Sequence, residues 1–291
     1  MLVPFTTAAK NRFPRQHLTR NRTAWVYDVD GVIHYYEGIG DILDFYAEVK
    51  ILHFSGVLPH LNPRQIRALG RKSYEATGDG LLGYVVHALE AGLLKPGEES
   101  VFREKIFRGF HQEKFKIVQE RDLPLLWPDN RTTQLMEELK QSGVTQSFLT
   151  QGCRIHWAEP VLEAKKLLRF FELAISMDFS DSNFETKKLS RKPIVEAIRR
   201  HGVSPDKVVF IEDSIDNLVT AKQYDPRILT VLISPRPVAP EKEAFVDIQT
   251  PDLVTFLECA QKIFCPPDPR LAYDRPDART TLPAHPFPQR G

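Results

Sequence analysis

Nothing in this 291-residue sequence approaches the roughly 20 consecutive apolar residues that a bilayer-crossing helix needs. The N-terminus also lacks the apolar core of a secretory signal. Cysteine is scarce: Cys153, Cys259 and Cys265 are scattered without metal-ligand spacing, which speaks against a disulfide framework or a structural zinc site. A soluble protein of a reducing, cytoplasmic setting is the expectation, with no membrane partner. Charge of one sign is missing too. Lysine and arginine (39) balance aspartate and glutamate (38), so no global field suggests a nucleic acid polymer as partner, and any ligand has to be argued from a local site.

Acidic residues are absent from residues 1–22, a basic stretch whose prolines interrupt any amphipathic helix; it reads as a flexible leader rather than a targeting segment. Aliphatic residues are sparse from Pro266 to Gly291, where proline dominates. That segment cannot bury enough surface to offset the entropy of ordering, and it reads as a tail.

What lies between is an ordinary globular composition, 42% hydrophobic and 26% charged. "SFLT" (147–150), "LAISM" (173–177), "KVVFIED" (207–213) and "ILTVLIS" (228–234) read as buried strands. "RTTQLMEELKQSG" and "KPIVEAIRRHG" read as helices stopped by Gly143 and Gly202. Alternating strands and helices predict an α/β core, residues 23–33 and 129–265, built on a parallel sheet with right-handed crossovers and helices on both faces. Residues 34–128 break the alternation with four amphipathic segments, one of them opened by Asn62 and Pro63, and form a helical insertion that leaves the sheet just after Asp30.

Sheets of this kind bind ligands beyond the carboxyl ends of their strands, where Asp28, Thr150 and Asp213 are expected to meet. "TAWVYDVDGVI" (23–33) ends an apolar strand in two aspartates, and two carboxylates at a strand tip are expensive to desolvate unless cations compensate. Their chemistry suits phosphoryl transfer. Asp28 can attack phosphorus as nucleophile, and Asp30 can protonate the leaving oxygen and later deprotonate water. Gly31 lets the backbone turn away without obstructing the phosphate. In "FLTQG", Thr150 and Gln151 can hydrogen-bond phosphate oxygens. Lys192 in "SRKPIVEAI" opposes the dipole at a helix start, so anionic partners are expected for it; Lys187, Lys188 and Arg191 lie close by. "VVFIEDSIDN" supplies Glu212 and Asp213, hard oxygen ligands for magnesium, with Asp28 and the backbone carbonyl of Asp30 completing the set. Each cluster alone has a structural explanation as well, such as a strand-to-turn junction or a helix cap.

"VYDVDGVI", "SFLTQG", "RKP" and "VVFIEDSIDN" together resemble the four ordered motifs of the haloacid dehalogenase-like (HAD) hydrolases. The resemblance implies a Rossmann-like doubly wound sheet, a C1-type helical cap, magnesium as cofactor and Asp28 as nucleophile. "IEDSIDNLVTAK", "SMDFSD" and the long gap to "RKP" are similar to the pyrimidine 5′-nucleotidase-like branch. Gln151 replaces the usual asparagine and Glu212 the frequent aspartate. Dehalogenases of this family lack the second aspartate, and nothing marks Lys50, Lys72 or Lys95 as the Schiff-base lysine of a phosphonatase. The expected activity is magnesium-dependent hydrolysis of a small phosphorylated metabolite by a monomer or homodimer. A catalytically idle binding protein and a sugar-phosphate phosphatase or mutase are the alternatives. Tyr35 and Tyr36 are expected to reach toward the crevice and meet the substrate.

Overall fold

A computed structural model describes residues 18–34, 40–176 and 185–265. Six parallel strands run in the order β3-β2-β1-β4-β5-β6, with β1 Ala24–Tyr27, β2 Thr145–Thr150, β3 Phe171–Ser176, β4 Val208–Glu212, β5 Leu229–Ile233 and β6 Ile248–Thr250. This is an α/β fold with a doubly wound, Rossmann-like sheet. β1 is central and buried on both faces, which is why it reads as an uninterrupted apolar run.

Side-chain alternation along β1 divides the core in two. Trp25 and Tyr27 pack with Leu135, Met136 and Leu139 of α5 (Asn130–Gln141), with α6 (Glu159–Ala164) and with Phe256 of α9 (Leu253–Phe264). Ala24 and Val26 face Ile194 and Ala197 of α7 (Lys192–His201) and Leu218 and Ala221 of α8 (Ile215–Tyr224). Leu18, expected in the flexible leader, is instead buried in the first of these clusters, and Arg22 donates to the carbonyl of Arg227 at 2.7 Å. An apolar side chain that can pack beside the sheet gains more by burial than the leader's polarity suggests.

The insertion contains α1 (Gly40–Val49), continued by a π-helical turn to Phe54, α2 (Pro63–Thr77), α3 (Leu82–Glu90) and α4 (Glu99–Glu120). Asn62 caps α2 by accepting from the N–H groups of Arg64 and Gln65, while Gln65 closes the box on the Asn62 N–H. The insertion has its own core of Leu52, Ile66, Tyr84, Val85, Ile106 and Phe107. A further cluster, Leu43, Val118, Leu125, Trp157 and Val161, joins α1 and α4 to the sheet region. No described helix is long and apolar enough to cross a membrane. The segments 1–17 and 266–291, and Tyr35 and Tyr36, lie outside the described residues.

Candidate active site

β1 delivers Asp28 one residue past its end, where the Asp28 N–H donates to the Ile211 carbonyl of β4 at 2.8 Å. Glu212 ends β4 beside it, fully buried. The cation between them is Lys187, only 1% exposed, with Nζ 2.9 Å from Asp28 Oδ2 and 2.5 Å from Glu212 Oε1. Burial opposes the ammonium, but Asp28 and Glu212 outweigh it and hold its pKa above the usual lysine value. Glu212 also accepts from Asn217 Nδ2 at 2.6 Å and from the Ser214 N–H at 2.8 Å. Burial pushes its carboxyl up, but Lys187, a hydrogen bond with Asp213 and the Ser214 N–H outweigh burial and hold it below its usual value, so it stays ionised.

Lys192 is not in this cluster. As the first residue of α7 it points to solvent and pairs with Glu185 at 3.0 Å. Lys187 precedes that helix in a turn, and its side chain runs inward to the Leu149 carbonyl at 3.2 Å and the two carboxylates. Of the basic run Lys187, Lys188, Arg191 and Lys192 the sequence singles out Lys192, and its place in the first turn of α7 sends it outward.

Asp213 opens to solvent at the mouth of the site. Its carboxylate lies over Gly31: a Cβ built on Gly31 would come within 2.0 Å of Asp213 Oδ2, and Gly31 has φ +80°. Glycine is therefore required there twice over, by space and by conformation. Thr150 is buried with its hydroxyl accepting from the Gly152 N–H at 2.9 Å. Gln151 Oε1 accepts from the Lys187 N–H at 3.2 Å, and its Nε2 donates to the Gly78 carbonyl of the insertion at 3.4 Å, so Gln151 stitches the Lys187 backbone to the end of α2.

Asp30 stands in a different environment. The extended spacing that would align it with Asp28 ends at Val29, because the chain turns there and the Ile33 N–H returns to the Val29 carbonyl at 3.0 Å. Trp157 Nε1 donates to both Asp30 oxygens, at 2.9 and 3.2 Å, and His34 Nε2 lies 3.2 Å from Oδ1. Lys114 of α4 reaches within 3.9 Å of the same oxygen. Burial pushes the Asp30 carboxyl up, but Lys114, His34 and the Trp157 N–H together bring it below its usual value.

Lys114 escaped the sequence reading, although a signal existed. Phe107, Phe110, His111, Lys114 and Val118 follow helical spacing and are all buried, so Lys114 sits on the apolar stripe of α4 rather than on its wet face. Tyr74 was missed as well. It is 59% exposed, and its hydroxyl is pushed up to about 12, first by burial of the hydroxyl end and then by the negative charges of Asp213, Glu212 and Asp28.

Asp28, Glu212 and Asp213 each offer an oxygen within 4.8 Å of the others. Three carboxylates around one ammonium leave surplus negative charge. It shows in Asp28, raised well above its usual value by burial and Glu212, and in Asp213, raised to about 8 by the same two causes. A hard divalent cation fits this oxygen set and this charge, and magnesium is the cation that uses one or two carboxylates with a phosphate.

A family model for haloacid dehalogenase-like hydrolases matches residues 23–225. The fold is similar to a HAD phosphatase from Thermococcus onnurineus (16% identity, 81% of this chain and 97% of that one, TM-score 0.52). It is also similar to β-phosphoglucomutase from Clostridium difficile (15%, 83% and 96%, TM-score 0.53) and to an L-2-haloacid dehalogenase (14%, 82% and 98%, TM-score 0.49). No curated protein sequence matches. Likeness at such identities speaks for the fold alone.

Proposed function

This chain belongs to the haloacid dehalogenase-like hydrolases, and from that premise we propose that it hydrolyses phosphomonoesters with magnesium through an aspartyl-phosphate on Asp28. The observation that carries the reading is the surplus of negative charge at the nucleophile, three carboxylates around the single ammonium of Lys187. Displacement of a halide by Asp28 has no use for that surplus.

Asp28, Asp213 and the backbone at Asp30 would hold the magnesium ion, with Glu212 fixing Lys187 behind them. When bound, the ion supplies positive field to the phosphoryl oxygens that must approach a carboxylate. An oxygen of Asp28 attacks phosphorus and the bond to the leaving oxygen breaks, with Asp30 giving that oxygen its proton. Water then attacks the same phosphorus, Asp30 takes the water's proton, and the bond to Asp28 breaks to release inorganic phosphate. Lys187 holds Asp28 oriented and offsets its charge throughout. Thr150 and the N–H groups after β2 contact phosphate oxygens.

The insertion acts as a C1-type cap that closes the crevice against water. The finer reading is a nucleoside 5′-monophosphate as substrate, supported by Tyr74, whose exposed ring offers a stacking surface near the carboxylates. Hydrolysis of 4-nitrophenyl phosphate and of a panel of phosphometabolites, with and without magnesium, tests both levels. Magnesium-dependent turnover is expected, with nucleoside monophosphates among the best substrates. No turnover on any member would favour an idle binding protein, and turnover confined to sugar phosphates would remove the nucleotide reading.

A further inference from the structure

We propose that Lys114 is a positioning residue, through which the insertion fixes where the carboxylate of Asp30 lies relative to the leaving-group oxygen. The inference rests on the phosphomonoesterase reading and deepens it.

Lys114 is 4% exposed, and burying an ammonium costs several kcal/mol unless it is well partnered. Its near partner is Asp44 of α1, at 2.7 Å from Nζ, which anchors the lysine inside the insertion. Its Nζ also lies 4.2 Å from the centre of the Trp157 ring, on the residue whose indole N–H holds Asp30. Asp30 itself is 3.9 Å away, within ionic reach and beyond hydrogen-bond length.

Among the described residues Trp157, His34 and Lys114 hold Asp30: Trp157 follows β2, His34 closes the turn after β1, and Lys114 reaches in from α4. Behind them, Leu43 and Val118 of the insertion pack against Trp157 and Val161 in one apolar cluster, so a shift of α4 on the sheet moves Lys114 and the Trp157 ring together. A lysine whose only task was to neutralise Asp44 could do so at the surface at less cost. Placed here, its charge tells Asp30 where the insertion is. At this distance the charge draws Asp30 to that side of the crevice without a hydrogen bond of its own.

The test compares two aryl phosphates of the same shape. 4-Nitrophenolate leaves without a proton, whereas phenolate gains from one. Lys114→Met keeps the apolar stem over Trp157 and removes the charge. It should lower kcat/KM for phenyl phosphate by about tenfold or more, within the range of general acid catalysis. For 4-nitrophenyl phosphate kcat/KM, which reports phosphoryl transfer and not the later hydrolysis of the aspartyl-phosphate common to both substrates, should stay within about threefold. Lys114→Arg should recover most of the loss. Asp44→Asn, which loosens the anchor without touching Lys114, should show the same selective loss in milder form and carries the test if Lys114→Met folds poorly. Equal loss of kcat/KM on both substrates, or no loss on either, would overturn the positioning role and leave the phosphatase reading standing. A wild-type protein inactive on both would overturn the two together.

Discussion

The carboxyl edge of the sheet and the underside of the helical insertion each bury one lysine between two carboxylates, and they do so differently. At the sheet edge Lys187 touches Asp28 and Glu212 at 2.9 and 2.5 Å, and both acids are fixed by strand ends. Under the insertion Lys114 touches Asp44 at 2.7 Å and Asp30 only at 3.9 Å, and the second contact crosses between two parts of the fold. The first arrangement is closed and suits holding a nucleophile still. The second holds Asp30 by charge across a longer gap and suits orienting a proton-carrying group. A buried ion pair is weak evidence for stability, and here the contrast in geometry assigns the two lysines different work.

Removing Lys187 should break the closed unit hardest. Lys187→Met leaves Asp28 and Glu212 buried without a cation; stability should fall by about 3–5 kcal/mol in urea unfolding, and activity should vanish. If stability holds, the sheet edge is less closed than its distances indicate.

Acid should loosen the insertion side first. His111 of α4 is buried, and burial lowers its pKa from the ordinary 6.5 to about 3. Below pH 6.5 the unfolded chain takes up a proton there that the folded chain refuses, so this contribution is complete above pH 6.5 and is lost as pH falls toward 3. Between pH 6.5 and 5 the loss at His111 is about 2 kcal/mol, and His111→Phe should flatten the slope. Hydrogen exchange that speeds up in the strands before α4 would contradict the order.

Gly31→Ala tests the seam between the two regions. The added Cβ would meet the Asp213 carboxylate in a left-handed backbone, so a loss of about 1–2 kcal/mol is expected, with a raised magnesium requirement. Unchanged magnesium dependence would remove Asp213 from the metal site. The smallest effect belongs to Lys192→Ala, which breaks an exposed pair with Glu185; stability should move by less than about 0.5 kcal/mol, and activity should not change. Loss of activity there would restore Lys192 to the site and displace Lys187.

The same division runs through what the sequence makes legible. Strand ends were readable because a buried parallel strand has no packing use for a terminal carboxylate, which marks Asp28, Glu212 and Asp213 at once. Lys187 was hidden among four neighbouring cations, because composition does not say which side chain of a turn runs inward. Asp30 was readable as an acid, but its direction was not, since the turn at Val29 cancels the extended geometry. The insertion was legible as four helices and opaque in its contacts. Lys114 lies on the buried stripe of α4, yet its partners Asp44 and Asp30 are 70 and 84 residues away in sequence, and pairings that distant follow from docking rather than from local pattern.

The central claim is that Asp28 carries the phosphoryl group. The protein should be mixed with 4-nitrophenyl phosphate and magnesium, quenched in acid during turnover, and digested for peptide mass spectrometry. The account predicts one phosphoryl group on the peptide containing Asp28, lost on mild alkaline treatment and absent in Asp28→Asn, which should also be inactive. Continued turnover by Asp28→Asn, with no phosphorylated peptide in either protein, would contradict it.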